Sequence, residues 1–237
     1  FGGGLTLSNQ SQIQQSTISE NFATSDGGGL LQFTGAAAVL QSTISGNRAD
    51  GHGGGIVSAN ALTTLTNSIV AGNEAATHDD LSTLGGTFAG SFNLIGDPAS
   101  AAGLVHGRDS NIVGQASPQG RSIVPIQKIL KPLALNGGPT PTHALAPLSA
   151  ALNAGNSIGL PNAAADQRGS LYVRDAGGGV DIGAYERQTE NDLVVIVTTA
   201  EDQSDADPRS AANLEVSLRE AIAIANATAG EFEVRFA

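Results

Sequence analysis

The chain contains no cysteine, methionine or tryptophan. Without cysteine it can hold no disulfide, thiol nucleophile or zinc-thiolate site. Aromatic residues make up 4% and charged residues 14% of its 237 positions. The core therefore has to be assembled from Ile, Leu, Val and Ala, and few rings are left on which a sugar could stack. Basic residues are scarce too: 11 Lys and Arg against 22 Asp and Glu give a net charge of -11. That balance makes nucleic acid or an anionic membrane surface an unfavourable partner and a divalent cation a more natural one. No apolar run is long enough to span a bilayer, so direct membrane insertion is not expected. His52, His78, His106 and His143 have no spacing that pairs them on one helix face, no Gly-x-Ser-x-Gly elbow occurs, and no Gly-Lys-Ser/Thr follows the glycine-rich stretches.

What the chain does have is a repeat. Gly2-Gly3-Gly4-Leu5, Gly27-Gly28-Gly29-Leu30 and Gly53-Gly54-Gly55-Ile56 each open a segment rich in Ser, Thr and Ile, and Asn21, Asn47 and Asn73 lie 26 residues apart. Ile18, Ile44 and Val70 form one apolar column, Ile13, Val39 and Leu65 a second, and Leu5, Leu30 and Ile56 a third whose first step is 25 residues. A one-residue change of this kind is absorbed in a turn. The period, carried by β-branched and small residues, predicts an all-β fold, a right-handed parallel β-helix. Each strand, about 4 to 6 residues long, cannot bury its own apolar face and must stack on its equivalent in the next coil, roughly 4.8 Å away. Gly28 and Gly54 are expected to let the backbone turn tightly, and Asn21, Asn47 and Asn73 to stack as a hydrogen-bonded ladder at a turn.

Beyond Asn73 the period decays. Residues 1–97 read as coils, with 80–97 an atypical fourth. Residues 98–187 read as an irregular capping region that should plug the open end, its first stretch, 98–125, loop-like. Residues 188–237 look like a beginning: a buried strand at Leu193–Val197, an acidic loop, and a capping box at Ser217 and Glu220. That box opens a short C-terminal amphipathic helix over Ala221–Ala227, with Leu218, Ile222 and Ala225 on one face. Since the sequence opens at Phe1 inside a repeat, without a signal-peptide pattern, it is expected to be a piece of something larger.

Several phrases carry a family resemblance. Ser68-Ile69-Val70-Ala71-Gly72-Asn73, Asn93-Leu94-Ile95-Gly96-Asp97, the run from Asn136 to Leu145, Asp166-Gln167-Arg168-Gly169 and Asp181-Ile182-Gly183-Ala184-Tyr185-Glu186 follow one another in order. Together they resemble the C-terminal part of bacterial surface β-helix proteins that carry the so-called choice-of-anchor module. Glu215 to Ala221 is similar to the CSLREP motif at the start of such modules, with Val216 in place of its cysteine. The resemblance implies a pectate-lyase-like solenoid in a secreted or surface-attached, adhesin-like protein. A finishing cap followed by a starting cap implies a tandem array, or a unit that associates head to tail with copies of itself into rods or filaments.

An enzymatic reading starts from Gly51-His52-Gly53 and Asp79-Asp80, which resemble the histidine phrase and paired carboxylates of polygalacturonases. The order is reversed relative to that family and its Arg-Ile-Lys phrase is missing, so turn glycines with a solvated histidine are the better account. Asp26 and Asp50 likewise read as turn residues before the glycine triplets. Calcium is the most plausible ligand. Asp202, Asp205 and Asp207 in the acidic loop are the candidate ligands, while Asp166, Asp175, Asp181 and Glu186 crowd the cap. Neither group follows the EF-hand pattern, and turn and cap roles are the plainer reading. Arg168 and Arg174 are expected to pair with cap carboxylates.

The expectation is a non-catalytic module, extracellular or at the cell surface, with a structural, adhesive or filament-forming role. Its partners would be copies of itself, adjacent modules or surface glycans. The alternative is a carbohydrate-active β-helix, a lyase, hydrolase or glycan-binding module. That reading draws on the uncharged outer face at Gln14, Gln15, Ser16 and Gln41.

Overall fold

The computed structural model describes residues 2–117, 120–122, 125–156, 164–188, 194–197, 217–219, 221–222 and 233–236. Its first part is a parallel β-solenoid of about four turns. The first coil contributes β1 (Leu5–Leu7), β2 (Gln10–Gln14), β3 (Thr17–Ser19) and β4 (Phe22–Ala23). The second contributes β5 (Leu30–Gln32), β6 (Gly35–Leu40), β7 (Thr43–Ser45) and β8 (Arg48–His52), and the third β9 (Ile56–Ala59), β10 (Ala61–Thr66), β11 (Ile69–Ala71) and β12 (Glu74–Thr77). The fourth, less regular, contributes β13 (Leu81–Leu84), β14 (Thr87–Ser91) and β15 (Leu94–Ile95). Equivalent strands pair in parallel, so that one sheet runs β1-β5-β9-β13 and another β2-β6-β10-β14.

The predicted apolar columns are the registers of these sheets. Leu5, Leu30, Ile56 and Leu81 are cross-strand neighbours, as are Ile13, Val39 and Leu65 and Ile18, Ile44 and Val70. Leu5 apart, their side chains fill the bore of the solenoid as one core cluster, with Ile13 packed against it. Each fully buried Ile or Leu contributes about 2 kcal/mol relative to exposure. The column is complete only inside the stack: Leu30, Ile56 and Leu81 are 0% exposed, whereas Leu5 on the first coil is 40% exposed.

The other end is closed by the first part of the expected capping region, the stretch read as loop-like. After β15 the chain makes a 3-10 turn at Pro98–Ser100 and buries Ala101 and Leu104 against the bore. It then returns as β16 (Ile112–Val113), a fifth rung that pairs with β15. The sheet through this face therefore runs β3-β7-β11-β15-β16.

A short antiparallel pair, β17 (Gln115–Ser117) and β18 (Gly120–Ser122), precedes the rest of the expected cap. Residues 125–156 and 164–187 do not plug an end: they lie along the flank of that five-stranded sheet. The reason is the strand alternation. Val70 faces the bore while its neighbours Ile69 and Ala71 face outward, and Leu94 does the same one rung on. These outward apolar groups are covered by α1 (Ile126–Ile129), β19 (Leu130–Ala134) and β20 (Thr142–Leu145), with Ala151 and Ile182, as a second core cluster. A hairpin of β21 (Ala165–Asp166) and β22 (Gly169–Val173) completes the layer.

In the C-terminal segment, β23 (Val194–Val197) and β24 (Glu233–Phe236) pair in parallel. Leu218–Arg219 and Ala221–Ile222 are helical. Ser217 and Ala221 are buried, while Leu218 and Ile222 are 45% and 48% exposed, so the side of this turn that faces inward is not the expected Leu218/Ile222 face. Among the described residues no helix is long and apolar enough to cross a membrane.

Candidate functional site

The predicted asparagine column is a ladder with a direction. Asn21 donates through Nδ2 to Asn47 Oδ1 (2.9 Å), and Asn47 donates through Nδ2 to Asn73 Oδ1 (3.0 Å). The backbone N–H of each donates to the same acceptor. Every rung thus accepts on one side and donates on the other, and the last rung needs an acceptor. Asp80 supplies it: its Oδ1 accepts from Asn73 Nδ2 at 2.9 Å and from Asn73 N, and its Oδ2 accepts from Asp97 N at 2.8 Å.

Asp80 reaches this place from an unexpected position. It follows Asp79 and precedes Leu81, the neighbour of Ile56, so it stands where the third glycine of each triplet stands in earlier coils. A Cβ at Gly55 would lie 2.9 Å from Asn73 Nδ2, so in earlier coils that space belongs to the ladder amide. In the fourth coil Pro98 falls where the next ladder Asn would be, and the Asp80 side chain fills the gap. Burial pushes its carboxyl up to about 7, against the downward pull of the Asn73 and Asp97 hydrogen bonds. The structural roles expected of Gly28 and Gly54 have a clear cause: a Cβ on either would meet a backbone oxygen of the neighbouring turn, Arg48 O at 2.5 Å and Glu74 O at 2.3 Å.

A second ladder went unread in the sequence. The backbone N–H of Ser16 donates to Ser42 Oγ, that of Ser42 to Ser68 Oγ, that of Ser68 to Asn93 Oδ1 and that of Asn93 to Asn111 Oδ1. Its signal was the recurrence of Ser16, Ser42 and Ser68 at the 26-residue period. The change from Ser to Asn at Asn93 and the short step to Asn111 hide the rest.

The residues of the enzymatic reading are engaged in turns. Asp79 Oδ1 accepts from Ala75 N at 2.9 Å, Asp26 Oδ1 accepts from His52 N at 2.9 Å, and His52 Nδ1 is hydrogen-bonded to Thr77 Oγ1. Asp50 makes an exposed 3.7 Å ion pair with Arg48.

In the flanking layer the expected arginine–carboxylate pairing is found at Arg168, whereas Arg174 departs from it. Arg168 pairs with Asp166 at 2.7 Å and is sandwiched between the rings of Tyr172 and Tyr185, 3.8 Å from each centroid. Arg174 is fully buried and donates to the carbonyls of Asp181 and Gly183 rather than to a carboxylate. Burial lowers its pKa, while the charges of Glu186, Asp166 and Asp181 oppose that shift. Glu186 Oε2 accepts from Asp181 N, and Glu186 N donates to Asp166. Burial and the nearby Asp181 carboxylate push Glu186 up to about 8. The two phrases 166–169 and 181–186 thereby form one buried lock.

Among the described residues no group of three or more His, Asp or Glu side chains is arranged to hold a metal. The candidate calcium ligands Asp202, Asp205 and Asp207 lie outside the described residues, as does Glu220. Ser217 is described, and its carbonyl accepts from Ala221 N at 2.9 Å, which closes the first helical turn.

Between β3 and the flanking layer lies an open cleft of ≈ 480 Å³, lined by Gln15, Ser16, Thr17, Ser19, Thr140 and Gln167 with Leu133 and Pro141. Gln167 spans it, accepting from Thr17 Oγ1 and donating to Thr140 Oγ1. Gln41, one rung further in, is fully buried and so is not part of an outer sugar-facing surface.

Comparison with known proteins returns no match to a family model, a curated protein or a solved structure. The solenoid therefore stands on its own geometry.

Proposed function

We propose that the chain is a non-catalytic β-helix module of an extracellular or cell-surface protein, with a structural or adhesive role. It joins end to end with adjacent modules of a tandem array or with copies of itself, and surface glycans are a second class of partner. The finer kinship with choice-of-anchor modules and CSLREP-type starts belongs to the same proposal and rests on the phrases quoted above. One observation carries the non-catalytic reading: the two carboxylates a β-helix hydrolase would need are committed to the fold. Asp80 is 1% exposed at the end of a ladder, and Asp79 holds the Ala75 turn. Calcium at Asp202, Asp205 and Asp207 would stiffen the start of the next module.

The carbohydrate reading keeps one favourable observation, the cleft beside β3, whose lining is uncharged and rich in hydroxyl and amide groups. Incubation with a panel of neutral and acidic polysaccharides, assayed for new reducing ends and unsaturated products, separates the two. The expected result is no product with any of them, in calcium or in chelator. Product formation abolished by Asp79→Asn would overturn the non-catalytic reading.

A further inference from the structure

Two side chains buried beneath the flanking layer hold polar atoms that the layer does not satisfy. Arg174 is 0% exposed, and its Nη2 donates to Asp181 O and Gly183 O. Among the described residues nothing accepts from its Nε or Nη1. Gln41 is also 0% exposed, and among the described residues neither its Nε2 nor its Oε1 has a hydrogen-bond partner. A buried polar atom left unpaired is destabilising, a charged one more so, and in a native fold such atoms are met by ordered water or an ion. The topology brings the two side chains together. Gln15, Gln41 and Asn67 form one corner column at the 26-residue period, with φ of 47°, 47° and 48°. The layer is seated on both neighbours of Gln41. Gln15 Nε2 donates to Ala165 O on one side; on the other, Asn67 O accepts from Gly183 N at 2.9 Å and Asn67 Oδ1 accepts from Asn156 N at 3.0 Å. Arg174 spans the same two points: its backbone N–H donates to Ala164 O, next to the Gln15 contact, and its Nη2 to Gly183 O, on the residue that meets Asn67. Gln41 thus lies beneath the stretch that Arg174 crosses.

We infer that the Gln41 amide and a free N–H of Arg174 hold one small monovalent anion, of the halide class, between the solenoid corner and the flanking layer. The donors favour an anion over water. Arg174 Nε and Nη1 and Gln41 Nε2 all carry hydrogens, against Gln41 Oε1 as the free acceptor. An anion uses donors alone, whereas a water molecule brings hydrogens of its own that need acceptors. The charges point the same way. Arg168, Arg174 and Arg187 act on the same buried set as Asp166, Asp181 and Glu186. Burial and the Asp181 carboxylate push Glu186 up to about 8. At neutral pH that leaves a guanidinium without a counter-charge, and a guanidinium stays protonated. One negative charge balances the set; a divalent anion would overshoot it. With both side chains shut off from solvent, the ion is a fixed part of the fold and fastens the layer to the corner where protein atoms do not. The inference does not depend on the proposed end-to-end role.

Crystals of the full chain soaked in sodium bromide give the direct test. Anomalous diffraction is expected to show a bromide between Gln41 and Arg174; a site filled by water alone, without anomalous signal, would overturn the inference. In solution, the unfolding temperature should be about 3 °C or more higher in sodium chloride than in sodium gluconate of equal ionic strength, because gluconate is too large for a sealed site, and the difference should grow with chloride concentration. Gln41→Leu, which fills the corner without an amide, should lose most of that difference. Gln41→Glu, which sets a carboxylate beside Arg174 in the place of the ion, should lose it as well and unfold in gluconate as high as the unaltered chain does in chloride. Equal unfolding temperatures of the unaltered chain in the two salts would overturn the inference, as would a chloride effect that persists undiminished in both variants.

Discussion

Asn47 shows how much one side chain holds. Its amide donates to Asn73 Oδ1 and to Ile18 O, and its oxygen accepts two N–H groups from Asn21, all within a side chain that is 1% exposed. Asn47→Ala leaves several of these groups buried without partners, for an expected loss of about 3 kcal/mol in denaturant unfolding. Asn21→Ala, in the first coil, where fewer contacts are made, should cost about 1 kcal/mol. The acids behave unusually. Asp80 and Glu186 have folded-state pKa values raised to about 7 and about 8. A raised carboxyl binds its proton more tightly in the folded state, so its stabilising effect is full below the ordinary carboxylate range and is lost as pH rises through the folded value. The free energy of unfolding should therefore fall as pH rises from about 4 to about 8. Asp80→Asn should flatten the part of that decline below neutrality. Stability that rises steadily over the same window in denaturant unfolding would contradict the assignment. The asparagine column was legible in the sequence because one residue type repeats at one spacing. Asp80 was not, because it comes 7 residues after Asn73 and enters the ladder from the position of a glycine.

At the scale of elements, the strands were readable wherever two neighbouring coils kept the same alternation. The bore-facing columns through Ile44 and Val39 come straight from the repeat, as do the turns at Gly28 and Gly54. The placement of residues 125–156 and 164–187 was not readable, because the outward column of the flank changes character along the stack. Thr17 and Thr43 are polar, whereas Ile69 and Leu94 on the next rungs are apolar. Only once Ile69 and Leu94 are known to face outward does the need for a covering layer appear. Ile69→Thr would restore the polar pattern of the first two coils in the middle of the second core cluster. It should cost about 2 kcal/mol and speed hydrogen exchange in Leu130–Ala134 and Thr142–Leu145, while Val39 and Leu65 in the bore stay protected. Equal loosening of bore and flank would mean that the layer is not the separately seated element described above. Thr43 and Asn67 anchor the same layer by accepting from Ala184 N and Gly183 N, at 3.0 and 2.9 Å. Those contacts join sites more than a hundred residues apart, and no local pattern announces them.

At the scale of the molecule, the solenoid is closed at one end by the stretch from Pro98 to Val113. A chain that carries a closed stack followed by a parallel strand pair, β23 with β24, suits a repeating array in which each module begins where the last is sealed. In the proposed array, overall acidity, with a net charge of -11, would keep rods apart laterally and leave contacts along the axis to hydrogen bonds and burial. The most direct test is electron microscopy of two copies of the chain expressed in tandem, beside the single chain. End-to-end joining predicts one straight rod about twice the length of the single particle, its outline kept in calcium. Two beads at variable angles in every condition would contradict end-to-end joining as what this protein is for.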